Sequence, residues 1–195
     1  MSQLSETQYV SSQMPSKLIL HIGLNKAGST FLQDAFSANQ VKLAKNGIKY
    51  PHASTVSITQ SWSQTGNALQ LAKLLKKPSA RTVRDYFTLQ RSTCRNFNTV
   101  LLSNESIHHS LRNSDSLVKL IQAAKEAGFT KVDVIVIFRN VFSHSLSAYT
   151  HRAGNMSLPD FRDWIMRRHE TKKGTPNARY ELWEELPNLT EAIKT

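Results

Sequence analysis

Four short apolar runs punctuate a chain that is otherwise amphipathic or polar. Leu18 to Ile22, Thr99 to Ser103 and Val132 to Phe138 are rich in Val, Ile and Leu. Unbroken runs of this length predict strands buried on both faces, as in a parallel sheet. Ile48-Lys49-Tyr50-Pro51 predicts a shorter extended piece. Between these runs, apolar positions recur at helical spacing. Phe31, Leu32, Ala35, Phe36 and Leu43 mark one face of a helix from Thr30 to Asn46, with Gly47 as its stop. Ala68 to Lys77 predicts a helix ended by Pro78. Leu117, Leu120, Ile121 and Ala124 predict another, capped by Asn113 or Ser114 and closed at Gly128. Val141 to Arg152 and Tyr180 to Leu186 read as further helices. Ser157 with Asp160, ahead of Trp164, resembles a capping arrangement for a helix through Arg168. Strands alternating with helices predict an α/β fold, a three-layer parallel sheet with flanking helices.

The polar, weakly periodic residues 1–16 predict a loose tail, followed by one domain over 17–195. Ser54 to Gly66 is rich in Ser, Thr and Gln and predicts a surface loop on the acceptor side of any site. With 195 residues, of which 39% are hydrophobic, the chain fills one sizeable core. No apolar run reaches the roughly eighteen residues that a membrane-spanning helix needs, and no signal-peptide pattern opens the chain. The expectation is a cytoplasmic protein without an integral membrane segment. Cys94 is the lone cysteine, so no internal disulfide can form.

A net charge of +11 calls for anionic partners. Lys73, Lys76, Lys77, Arg81 and Arg84 form one basic cluster; Arg162, Arg167, Arg168, Lys172 and Lys173 form a second. Such clusters read first as solvated helix faces. No zinc-finger spacing or RNA-binding aromatic pattern accompanies them, so nucleic acid is not the expected partner.

The chemistry concentrates where the first strand meets the first helix. His21-Ile22-Gly23-Leu24-Asn25-Lys26-Ala27-Gly28-Ser29-Thr30 places a Gly/Lys loop between them. Unpaired N–H groups and the positive end of the helix dipole make such a junction an anion site. Gly23 and Gly28 allow close backbone approach, and Lys26 adds a mobile charge. The Walker A pattern, G-x-x-x-x-G-K followed by Ser or Thr, is not met, because Lys26 precedes Gly28 and the Ser29-Thr30 pair.

What the segment resembles is the 5′-phosphosulfate loop of PAPS-dependent sulfotransferases. That loop reads x-x-G-x-x-K, then Thr, Ala or Ser, then Gly, then two residues that are each Ser or Thr. Gln33 also matches many carbohydrate-type and bacterial members. Further along, Arg139-Asn140-Val141-Phe142-Ser143-His144-Ser145-Leu146-Ser147-Ala148-Tyr149 resembles the family's 3′-phosphate segment. There an Arg at a strand end and a Ser eight residues on hold the 3′-phosphate of PAPS. A guanidinium grips a phosphate with paired charge-assisted hydrogen bonds, and a hydroxyl adds another. Leu102-Ser103-Asn104-Glu105 resembles a third segment seen in bacterial members.

The resemblance spans roughly residues 17 to 186 and implies a P-loop NTPase-like fold in which the family's C-terminal part is missing. It implies PAPS as donor and PAP as product, with no metal, and a glycan or other hydroxyl or amine compound as acceptor. Gly23, Asn25, Lys26, Ala27, Gly28, Ser29, Thr30, Arg139 and Ser147 would bind the donor. Lys26 would also neutralise the leaving phosphate oxygen. Bacterial relatives carry a His in the region of Gly66 to Gln70, which here reads Gly-Asn-Ala-Leu-Gln. The general base is therefore sought among Glu105, His52, His108 and His109, with Glu105 preferred; as a helix-start cap it would instead be structural. His144 and His151 lie seven apart with no third ligand in sight, so no metal site is expected. Two other readings stand beside this one. They are a P-loop-like nucleotide kinase or NTP binder, and a non-catalytic basic module that binds polyanions.

Overall fold

In the computed structural model, residues 13–23, 27–51, 66–76, 79–111, 114–137, 139–154 and 160–163 are described. The apolar runs form four parallel strands: β1 (Lys17–His21), β2 (Ile48–Lys49), β3 (Thr99–Ser103) and β4 (Lys131–Ile135). Their order across the sheet is β2-β3-β1-β4. β1 pairs on one side with β3, His21 facing Ser103, and on the other with β4, His21 facing Ile135. The Ile22 N–H extends the ladder to the Ile135 carbonyl at 3.0 Å.

The connections are helical. α1 (Ser29–Ala38) and α2 (Gln40–Lys45) lead from β1 to β2, and α3 (Leu69–Leu74) and α4 (Ala80–Thr93) lead on to β3. A 3₁₀ turn (Glu105–Ser110) and α5 (Ser114–Glu126) join β3 to β4, and α6 (Val141–Ala153) follows β4. Alternate strand residues point to opposite faces. Leu18, Leu20, Val100 and Leu102 enter the main core with Val83 and Phe87 of α4 and Leu117, Leu120 and Ala124 of α5. On the opposite face His21 meets the ring of Phe36 from α1. The chain is thus α/β, a parallel sheet with helices against it.

Several sequence expectations change. The helix expected over Thr30 to Asn46 is two helices, broken at Asn39 (φ −104°, ψ 23°). Asn39 closes α1 with two donors on one acceptor: its backbone N–H (3.1 Å) and its side-chain Nδ2 (2.8 Å) both reach the Ala35 carbonyl. α4 has no counterpart in the apolar pattern. Its inward stripe is only Val83, Tyr86, Phe87 and Gln90, while Arg81 and Arg84 face solvent. β4 is shorter than Val132 to Phe138 and only half-buried. Among the described residues it pairs on one side only, and its end residues Lys131 and Ile135 are exposed. Residues 13–16, at the end of the segment read as a tail, are described, and Pro15 and Ser16 are tied to the domain. The Pro15 carbonyl accepts from Arg91 Nε at 2.8 Å, and the Ser16 carbonyl accepts from the Thr130 N–H at 2.8 Å. At residues 160–163 the Asp160 carboxylate accepts from the Asp163 N–H, so Asp160 itself is the cap. Ser157, Asn113, Tyr180 to Leu186, and Lys77, Arg167, Arg168, Lys172 and Lys173 of the basic clusters lie outside the described residues.

Cys94 is buried, which pushes its thiol pKa up and keeps it inert. No helix among the described residues is long and apolar enough to cross a membrane. Phe87 joins the layers, packing edge-to-face on Tyr86 and Phe129. Phe87→Ala is expected to cost about 3–5 kcal/mol, read as a lower urea midpoint at unchanged slope.

Candidate functional site

In an open parallel sheet, ligands bind beyond the carboxyl ends of the strands, where neighbouring strands send their connections in opposite directions. Here that point lies between β1 and β3. The chain leaves β1 toward β2, past β3, whereas it leaves β3 toward β4, past β1.

α1 starts at this end. Its N-cap, Gly28, has φ 93°, a left-handed conformation that side-chain-bearing residues resist. No side chain caps the helix, and no acidic residue occupies its first turn. The first intrahelical bond runs from the Leu32 N–H to the Gly28 carbonyl, so the N–H groups of Ser29, Thr30 and Phe31 precede the ladder. That is a positive, donor-rich end suited to an anion. Ala27 is half-buried, Gly23 and Ser29 are buried, and Thr30 is exposed. The two hydroxyls of the pair therefore stand in different environments. Asn25 and Lys26 lie outside the described residues, as does His52.

A buried polar cluster underlies the loop on the β3 side. His21 Nδ1 and Ser103 Oγ are hydrogen-bonded at 2.8 Å. Asn67 clamps the same strand end. Its Nδ2 donates to the carbonyls of Leu101 (2.9 Å) and Pro51 (3.0 Å), and its Oδ1 accepts from the Ser103 N–H (2.7 Å). The Ala68 N–H donates to the Ser103 carbonyl at 3.1 Å, and the Asn104 N–H to the His21 carbonyl at 3.1 Å. Burial lowers the His21 pKa, so the imidazole is neutral at physiological pH. His21 Nε2 and Gln33 Nε2 are buried and have no hydrogen-bond partner among the described residues.

Beyond β3, Asn104 rather than Glu105 supplies the capping oxygen, accepting from the Ser106 N–H at 2.8 Å. Glu105 is half-buried in the first turn of the 3₁₀ segment, beside this strand end. His108, one of the candidate bases, is buried, and its Nδ1 donates to the Glu105 carbonyl. The His109 side chain lies outside the described residues.

On the β4 side the strand ends at Ile135, so Arg139 sits four residues past it, exposed, just before α6. Asn140 starts α6: its Oδ1 accepts from the Ser143 N–H at 3.3 Å. Ser147 is half-buried two turns into that helix. Tyr149 stacks edge-on against Phe161 at 5.2 Å. Among the described residues no group of three His, Cys, Asp or Glu side chains is set to hold a metal ion.

The carboxyl ends of β1, β3 and β4 lie side by side, so the chain runs from them into the Gly28–Thr30 helix start, Glu105 and Arg139. Motif reading assigned no role to His21, Gln33 or Asn67. The signals were a histidine at the end of an apolar strand and a glutamine one helical turn after Ser29. Comparisons with known protein families, curated proteins and solved structures found no match.

Proposed function

We propose that this chain is a PAPS-dependent sulfotransferase domain with a P-loop NTPase-like fold. The observation that carries the reading is positional. The loop before α1 and the segments after β3 and β4, each resembling a different part of the family's site, follow three adjacent parallel strands. The uncapped, acid-free start of α1 suits the 5′-phosphate, and an exposed guanidinium at residue 139 suits the 3′-phosphate.

In the proposed reaction an acceptor oxygen or nitrogen forms a bond to sulfur. The bond from sulfur to the bridging oxygen breaks, and its electron pair stays on the 5′-phosphate of the product, adenosine 3′,5′-bisphosphate. The protein's part is positioning and charge stabilisation, as in phosphoryl transfer. Lys26 would neutralise the leaving oxygen, and the amides of residues 28–30 would hold the phosphate. Ser147 would add a hydroxyl to the grip of Arg139. Glu105, two residues past the end of β3, is the favoured base. The acceptor is a glycan or other hydroxyl or amine compound.

Calorimetric titration with adenosine 3′,5′-bisphosphate, with AMP and ATP–Mg²⁺ as competitors, tests the reading. Binding that requires the 3′-phosphate is expected. Preference for ATP–Mg²⁺ would replace the reading with a nucleotide kinase. Salt-sensitive binding of any polyanion would replace it with a non-catalytic module. Arg139→Ala is expected to weaken adenosine 3′,5′-bisphosphate at least about tenfold while leaving AMP unchanged. Equal losses for both nucleotides would remove Arg139 from the 3′-phosphate.

A further inference from the structure

We propose that His21 and Gln33 are acceptor-binding residues, whose side-chain nitrogens form an uncharged polar floor for a hydroxyl-bearing ligand on the β3 side of β1. The inference rests on the sulfotransferase reading and adds to it two residues and a location for the acceptor.

His21 is 0% exposed and Gln33 1%, yet each keeps one nitrogen unpaired among the described residues. A buried polar atom left without a partner costs about 1–3 kcal/mol, so two around one strand end are a conspicuous expense. Both nitrogens face glycines. A Cβ on Gly23 would stand 2.8 Å from His21 Nε2 and 2.6 Å from Ser29 Oγ; one on Gly66 would stand 2.8 Å from Gln33 Nε2. Any larger residue at either position would press on the nitrogen.

The imidazole is also held in one orientation. Ser103 holds Nδ1 at 2.8 Å, and Phe36 packs edge-on at 6.3 Å between ring centres. Nε2 is thereby turned away from Ser103 and toward the loop. The cluster of His21, Ser29, Gln33, Asn67 and Ser103 contains no charged side chain, and burial keeps His21 neutral. An alcohol matches such a surface, because its oxygen accepts from the Gln33 amide and either accepts from or donates to Nε2. A buried ammonium would find no counter-charge in this cluster.

The floor adjoins the proposed 5′-phosphate loop at Gly23 and Ser29, where sulfuryl transfer would take place, and is set apart only from the 3′-phosphate segment. His21 bonds across to β3, and Gln33 faces Gly66 beside the Ser103 carbonyl. Arg139 and Ser147 follow β4, on the other side of β1. The acceptor and the 3′-phosphate end of the donor therefore lie on opposite sides of β1.

The test uses His21→Asn, His21→Gln and Gln33→Met in the full chain. Asn keeps an amide near the Nδ1 position and deletes Nε2, whereas Gln reaches the Nε2 position. Two readouts are taken: calorimetric affinity for adenosine 3′,5′-bisphosphate, and transfer from PAPS to methyl β-glucopyranoside, N-acetylglucosamine and hexylamine. Wild type is expected to modify the sugars and not the amine. His21→Asn and Gln33→Met should raise KM for the sugars at least about tenfold, with nucleotide affinity held within about twofold. His21→Gln should retain most of the wild-type KM. Sugar transfer with unchanged KM in His21→Asn and Gln33→Met would overturn the inference, leaving these nitrogens to internal water. So would a loss confined to His21→Gln, which would mark the Ser103 bond as the only role of the ring. Preference for hexylamine would overturn the alcohol. Failure of wild type to bind the nucleotide would instead remove the sulfotransferase reading, and this inference with it.

Discussion

Lys26→Ala is expected to abolish measurable sulfuryl transfer, a fall of at least about a thousandfold, while the protein stays folded. Charge develops on the bridging oxygen only as the bond to sulfur breaks, so a cation aimed there acts on the transition state more than on the bound donor. Loss of a single preorganised oxyanion donor costs about 10²–10³-fold in well-studied enzymes, and a full positive charge stands at the upper end. Adenosine 3′,5′-bisphosphate should bind to the variant with a smaller loss, because the amides of residues 28–30 and Arg139 would still hold its two phosphates. The measurement is single-turnover transfer from PAPS beside calorimetric binding of the product nucleotide. Transfer at the wild-type rate would take Lys26 out of the reaction. Equal losses in binding and rate would make it a general anion contact.

Gly66→Ala is expected to be the most damaging small substitution for the fold, at more than about 4 kcal/mol, well beyond an ordinary surface change. Gly66 has φ 65°, and a Cβ there would stand 2.1 Å from the Ser103 carbonyl oxygen. That oxygen is backbone within β3 and already accepts from the Ala68 N–H, so it has no easy retreat. Displacing it would also disturb Asn67, which ties Ser103 to Leu101 and Pro51. Thermal unfolding by circular dichroism is the check. A midpoint within a few degrees of wild type would mean that the 66–68 turn yields without cost.

How far the sequence alone reaches differs from element to element. β1 and β3 are legible because each is an apolar run in the middle of the sheet, and the strand ends match to within a residue. β4 is legible as a strand but not in extent, since its coverage depends on neighbours that no local pattern reports. α4 is missed because its inward stripe is thin and carries Tyr86 and Gln90, where burial comes from packing on α5. The break at Asn39 is missed because no glycine or proline marks it in the sequence. Gly28, Ser29 and Thr30 are placed at a helix start by spacing alone, since a loop and the helix it opens are contiguous in the chain. His21, Gln33 and Asn67 gain a role only when β1, α1, β3 and the 66–68 turn meet.

By itself, then, the sequence determined the alternation of strands and helices, the glycine-flanked start of α1 and the places of the two separated segments that carry the sulfotransferase resemblance. Those properties are local: periodicity, backbone freedom and charge act within a few residues. Only the tertiary structure decided the order β2-β3-β1-β4, and with it which strand ends share a crevice. It also decided that His21 and Ser103, 82 residues apart, are hydrogen-bonded beneath the loop. Strand order is set by the burial of whole faces, a sum over distant residues that no short segment encodes. The pairing of buried polar atoms follows from that order, and with it the two buried nitrogens without a partner among the described residues.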